Sequence, residues 1–161
     1  MLRRAITTLL LLMVLDASAA DGLRALDPWI PAAPPGAPML AGYMTLLNDG
    51  SDPVRITSAR AEGFRRVELH RSFHEGGMAR MRRVEGLVIE PGEAVTLERG
   101  GLHLMLMQPM RPPPPGHAVR IEFLDARNQV VLEVDAEVIR RRDRGQNRPE
   151  DDRRARRPGP D

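Results

Sequence analysis

Short apolar runs separated by turn residues recur along the chain, and most of them alternate apolar with polar positions. Residues 43–47 read as a strand closed by the turn Asn48-Asp49-Gly50, and residues 54–61 follow. Val67 and Leu69 alternate with Glu68 and His70, and Glu75-Gly76-Gly77 marks a turn before Met78–Val84. Leu87–Ile89 precedes the turn Pro91-Gly92-Glu93, and Ala94–Leu97 runs to the break Arg99-Gly100-Gly101. Residues 102–107, Ala118–Leu124 and residues 130–138 complete the set. No segment carries a long apolar stripe of helical period. Many short strands of period two at close spacing predict an all-β protein, a β-sandwich or small barrel. The proline-rich stretch 28–38 is expected to cross one end of it, and Pro112 to Pro115 to form a stiff extended connector.

The two ends of the 161-residue chain differ from this middle. Arg3 and Arg4, an apolar run over residues 5–15 and the small-residue exit Ala17-Ser18-Ala19-Ala20 describe a signal peptide over residues 1–20. The run is too short for a membrane-spanning helix, so no stable membrane insertion is expected. Residues 21–139 are then one β-domain, mildly acidic with 13 Arg against 16 acids. Residues 140–161 hold nine Arg against five acids and no aromatic residue, which reads as a solvated, disordered tail rather than a nucleic-acid surface. The absence of cysteine excludes disulfides, thiolate metal sites and thiol nucleophiles. All 24 basic residues are Arg, which excludes lysine Schiff-base chemistry.

Methionine is ordinarily a core filler, but its placement here is peculiar. In Leu102-His103-Leu104-Met105-Leu106-Met107 a strand puts the three leucines on one face and His103, Met105 and Met107 on the other. A strand buried on both faces, with a satisfied histidine, accounts for that segment taken alone. Upstream, a strand end and a turn place His70 and Met81 across a hairpin, from which both can face the His103 strand. The four side chains would make a set of two imidazoles and two thioethers. Thioether sulfur is a soft neutral donor that suits Cu(I) and binds hard cations poorly, and structural zinc rarely recruits it.

The spacing His70, ten residues, Met81, twenty-one residues, His103, one residue, Met105 resembles the motif of periplasmic copper chaperones of the PCu(A)C type. The similarity extends through Trp29, Pro34 to Pro38, the Tyr43 strand, Val67-Glu68-Leu69-His70 and Gly100 to Met107. The resemblance implies a cupredoxin-like, immunoglobulin-like β-fold and one Cu(I) held by His70, Met81, His103 and Met105. It implies a periplasmic location, no enzymatic activity, and delivery of copper to the cytochrome oxidase copper subunit or a thiol-bearing assembly factor. His74, Met107 and Met78 are candidate auxiliary residues. Two departures stand out: the neighbourhood of His70 offers Ser72 and His74, and the tail lacks the His and Met that give some members a second copper. Two rival readings remain. A zinc enzyme built on His70, His74 and Glu75 needs a helix, which Gly76-Gly77 would interrupt at once. A metal-free secreted β-sandwich acting in adhesion or interaction would make the His and Met positions accidental.

Overall fold

A computed structural model describes residues 22–140. The expected signal peptide and the Arg-rich tail therefore lie outside the described residues, apart from Arg140. Eleven strands follow in chain order: β1 (Leu23–Pro31), β2 (Met39–Asn48), β3 (Val54–Ile56), β4 (Ser58–Ala61), β5 (Phe64–Glu75), β6 (Met78–Val84), β7 (Leu87–Ile89), β8 (Ala94–Leu97), β9 (Leu102–Pro109), β10 (Ala118–Leu124) and β11 (Val130–Ile139). The described residues contain no helix, and none that could cross a membrane. The all-β expectation is met.

The strands run in the order β1-β11-β10-β4-β5-β9-β2, and β1 also pairs with β2, so these seven close into a barrel. Closure removes the unpaired edges that an open sheet would expose. β8 extends from β2, β6 extends from β5, and β3 pairs with β7 as a separate small ribbon. β1 runs parallel to β11, while the other pairings are antiparallel.

Alternation fills the barrel. Leu40, Met44 and Leu46 of β2, Leu102, Leu104 and Leu106 of β9, Val119, Ile121 and Phe123 of β10, and Val134, Ala136 and Val138 of β11 form one buried cluster. Each large apolar side chain so buried contributes about 1.5–3 kcal/mol. Gly42 lets β2 approach β9 closely: a Cβ there would stand 3.2 Å from Leu106 Cδ1 and 3.4 Å from Leu104 Cβ. At the far end of β5, Gly76 and Gly77 both have positive φ, at 59° and 78°, which is the geometry of a two-residue hairpin turn.

Two expectations need correction. Residues 28–31 do not cross the barrel end but complete β1, and only residues 32–38 form the connection to β2. Pro28 is tolerated because the β1–β2 register shifts between Leu26 and Trp29, where Asp27 takes a φ of 49°, and Pro31 because it is the last residue of the strand. The predicted strand over 54–61 is broken at Thr57: β3 pairs with β7, and β4 joins the barrel through β5 and β10.

Candidate metal centre

The site is built on the outer face of β6, β5, β9 and β2. On β9 the leucines turn inward, so alternation sends His103, Met105 and Met107 to the other side. On β5, Val67 and Leu69 take the inward positions, leaving Glu68, His70 and Ser72 outward. The antiparallel register then sets His70 directly opposite His103, Glu68 opposite Met105 and Arg66 opposite Met107. Across the hairpin, Ser72 faces Met81 and His70 faces Arg83. Along β5 the histidine pair is therefore the middle rung, with Met81 one rung to one side and Met105 one rung to the other.

The two imidazole rings are 6.2 Å apart between centroids and inclined by 49°. His103 is buried at 5% exposure, and Met105 at 7%. His103 Nδ1 donates to the Gly101 carbonyl at 3.1 Å, and that same carbonyl accepts the backbone N–H of Ser72 at 3.0 Å. A carbonyl can only accept, so Nδ1 carries the proton and Nε2 keeps its lone pair. His70 is fixed in the opposite sense: Nε2 donates to Glu68 Oε2 at 2.8 Å, leaving the lone pair on Nδ1. That Nδ1 is buried and has no hydrogen-bond partner, the only such side-chain atom among the described residues. A buried polar atom without a partner costs about 1–3 kcal/mol, which a metal ion would recover.

Glu68 went unnoticed among the sequence candidates, although its position two residues before His70 on the same strand face was a readable signal. It is nearly buried, and Arg66 Nε and Arg83 Nη1 stand 3.4 and 3.2 Å from its Oε1. The hydrogen bond from His70 holds its carboxyl below the usual glutamate range, and the two guanidinium groups act in the same direction against the opposing effect of burial. Glu68 is therefore a carboxylate at neutral pH, orienting one imidazole and placing a negative charge beside the pair.

The remaining candidates are distributed unevenly. Met81 is 57% exposed on the same face as His70 and Ser72. His74 shares that face, four residues beyond His70, and is exposed next to the turn. Met107 is half-buried, one step past Met105. Met78 pairs with Glu75 and so stands on the opposite face of the hairpin, 60% exposed. Tyr43 and Trp29 pack with ring centroids 4.9 Å apart and planes tilted by 41° on the flank formed by β2 and β1, with the Arg99 guanidinium 5.3 Å from the indole and 5.8 Å from the phenol ring. Among the described residues no three His, Cys, Asp or Glu side chains gather into a metal-binding group.

A closed β-barrel thus carries the paired imidazoles on its outer face, with Met81 and Met105 on that same face. The family model LpqE-like, described as "Putative lipoprotein LpqE-like", matches residues 23–138. The chain belongs to this LpqE-like family, of the PCuAC type, as the His–Met spacing indicated. Among solved structures, CuI-DR1885 from Deinococcus radiodurans is 32% identical, with a TM-score of 0.58 over 77% of this chain and 84% of that one. Apo-DR1885 from the same organism is 29% identical, with a TM-score of 0.58 over 87% and 93%. The copper-bound PCuAC domain from PmoF2 is 23% identical, with a TM-score of 0.59 over 74% and 93%, a likeness of fold. No curated protein sequence matches the chain.

Proposed function

We propose that this protein binds one Cu(I) through His70 Nδ1, His103 Nε2 and the thioethers of Met81 and Met105, and hands it to a partner. The observation that carries the reading is the cross-strand histidine pair, each ring tied by one nitrogen and presenting the other, with a methionine one rung away on either side. The Cu(I)-loaded state of DR1885 supports the choice of ion. So does the donor chemistry: thioether and neutral imidazole suit a soft monovalent ion, and no thiolate is present to be oxidised. The Glu68 carboxylate supports the reading by holding His70 through Nε2, which keeps Nδ1 free for the ion.

Handover proceeds by ligand exchange. Met81, exposed on the hairpin, is the ligand an incoming thiolate reaches first; the anionic sulfur displaces the neutral thioether and draws the ion away. No bond of a substrate is made or broken, so the role is carriage rather than catalysis. The acceptor we propose is the cytochrome oxidase copper subunit or a thiol-bearing assembly factor. The lipoprotein description of the family supports an exported protein, and we place its work in the periplasm.

Competition against a Cu(I) chelator, followed by a parallel zinc titration, tests the reading. One tight Cu(I) equivalent with weak zinc binding is expected. Tight zinc with weak Cu(I) would overturn it, and failure to bind either metal would favour a metal-free interaction module.

A further inference from the structure

The outer face carries two more thioethers that the four-ligand centre does not use. Met39 of β2 and Met107 of β9 are direct antiparallel partners. Neither belongs to the apolar cluster inside the barrel: Met39 is 44% exposed and Met107 is half-buried. Burial therefore does not explain two methionines facing each other here, and a thioether in water gains little from being a thioether.

We infer that Met39 and Met107 form a second, shallower site for a soft monovalent ion, a station through which Cu(I) enters or leaves the histidine–methionine centre. Geometry favours it. Directly opposed residues on antiparallel strands have Cβ atoms about 4.5–5.5 Å apart. Methionine side chains rising from such a pair have three rotatable bonds each and can bring their sulfurs to a similar separation. A zinc–thiolate bond is about 2.3 Å, and at a metal–sulfur length of that order an ion midway between two sulfurs needs them about 4.6 Å apart. The strand ends are pinned at this rung, because the backbone N–H of Gln108 donates to the Pro38 carbonyl at 2.9 Å, joining the residue after Met107 to the residue before Met39. Gln108 turns away there with a φ of 52°.

The chemistry limits the occupant. The pair contains no carboxylate, and the nearest cross-strand neighbour, Arg66 opposite Met107, directs its guanidinium to Glu68. A divalent or hard cation therefore finds neither charge nor oxygen, whereas Cu(I) or Ag(I) finds two soft neutral donors. With two donors and Arg66 nearby, binding is weaker than at the centre, as a transfer station requires. Exposure falls from Met39 through Met107 to Met105, which is 7% exposed and lies one alternation step, about 7 Å, further along β9. An ion can move along this series by exchanging one thioether for the next without being released to water. This relay role rests on the proposed Cu(I) centre, but the second site can be read separately.

The test is a silver titration of the purified protein with methyl-labelled methionine, followed by NMR. Ag(I) is the probe because it has the same charge and softness and no redox chemistry. After the first equivalent, the Met39 and Met107 methyl signals should move together on one saturation curve, well before that of Met110, which is 77% exposed and serves as the control for non-specific contact. M39L and M107L should each abolish that second phase, and M39L, outside the candidate residues of the centre, should leave the first intact. Stationary Met39 and Met107 signals, movement only in step with Met110, or a second phase that survives M39L would overturn the inference. Signals of Met81 and Met105 that ignore the first equivalent would instead count against the four-ligand centre, with the Met39–Met107 pair still judged on its own two resonances.

Discussion

The imidazole of His70 lies directly across from that of His103 on neighbouring antiparallel strands, the rings 6.2 Å apart, and opposite ring nitrogens of the two are tied down. The pairing joins residues far apart in the chain, and only the β5–β9 register brings them together. It leaves His70 Nδ1 and His103 Nε2 as the two open donors.

If Met105 completes the donor set, Met105→Leu should preserve the fold, because volume and hydrophobicity are nearly conserved. It should lower Cu(I) affinity by about tenfold or more, at least 1.4 kcal/mol of binding free energy. Chelator competition measures this, and unchanged affinity would remove Met105 from the set.

Acid should release copper. An imidazole must be deprotonated to hold a metal, so protons compete with the ion at His70 and His103, while the thioethers have no proton to exchange. Retention measured by dialysis should decline as the pH is lowered from neutrality. A curve flat down to about pH 4 would show that the histidines are not ligands.

The metal-free protein should lose stability in acid through Glu68. Its carboxyl is held below the ordinary glutamate range, chiefly by the hydrogen bond from His70 and further by Arg66 and Arg83. A depressed native pKa contributes stability that is complete above the unfolded-state value, near 4.3, and is lost as the pH falls through the native value. Urea denaturation of the wild type should therefore show a stability loss below about pH 4.3 that is shallower in Glu68→Gln. Parallel curves for the two proteins would contradict this.

Asn48 tests the scaffold rather than the site. It is fully buried, and its Nδ2 donates to the Ile89 and Asp52 carbonyls at 2.9 and 2.8 Å, while Oδ1 accepts from the Gly50 N–H at 3.0 Å. Asn48→Ala would strand the Ile89 carbonyl and should cost about 1–3 kcal/mol in urea denaturation. Cu(I) stoichiometry should stay at one, because β5 and β9 do not depend on that corner.

Much of this face was legible from spacing alone. Alternation in residues 102–107 separates the leucines from His103, Met105 and Met107, and the Gly76-Gly77 turn folds β6 back on β5. What spacing cannot carry is register between strands distant in sequence. The facing of Met39 and Met107, and of Glu68 and Met105, follows from pairings across 68 and 37 positions, which local pattern does not encode. β1 was hidden for a different reason: Pro28 and Pro31 read as breakers, yet the first falls in the bulge at Asp27 and the second ends the strand. Glu68 was visible on the strand face but looked like any exposed acid until two arginines and an imidazole closed around it.

X-ray absorption at the copper edge of the Cu(I)-loaded protein reads the ligand atoms themselves. The proposed centre requires a shell of two nitrogen and two sulfur neighbours, with sulfur scattering reduced in Met105→Leu. A shell of nitrogen and oxygen alone, or a sulfur signal that Met105→Leu and a Met81→Leu variant both leave untouched, would contradict it.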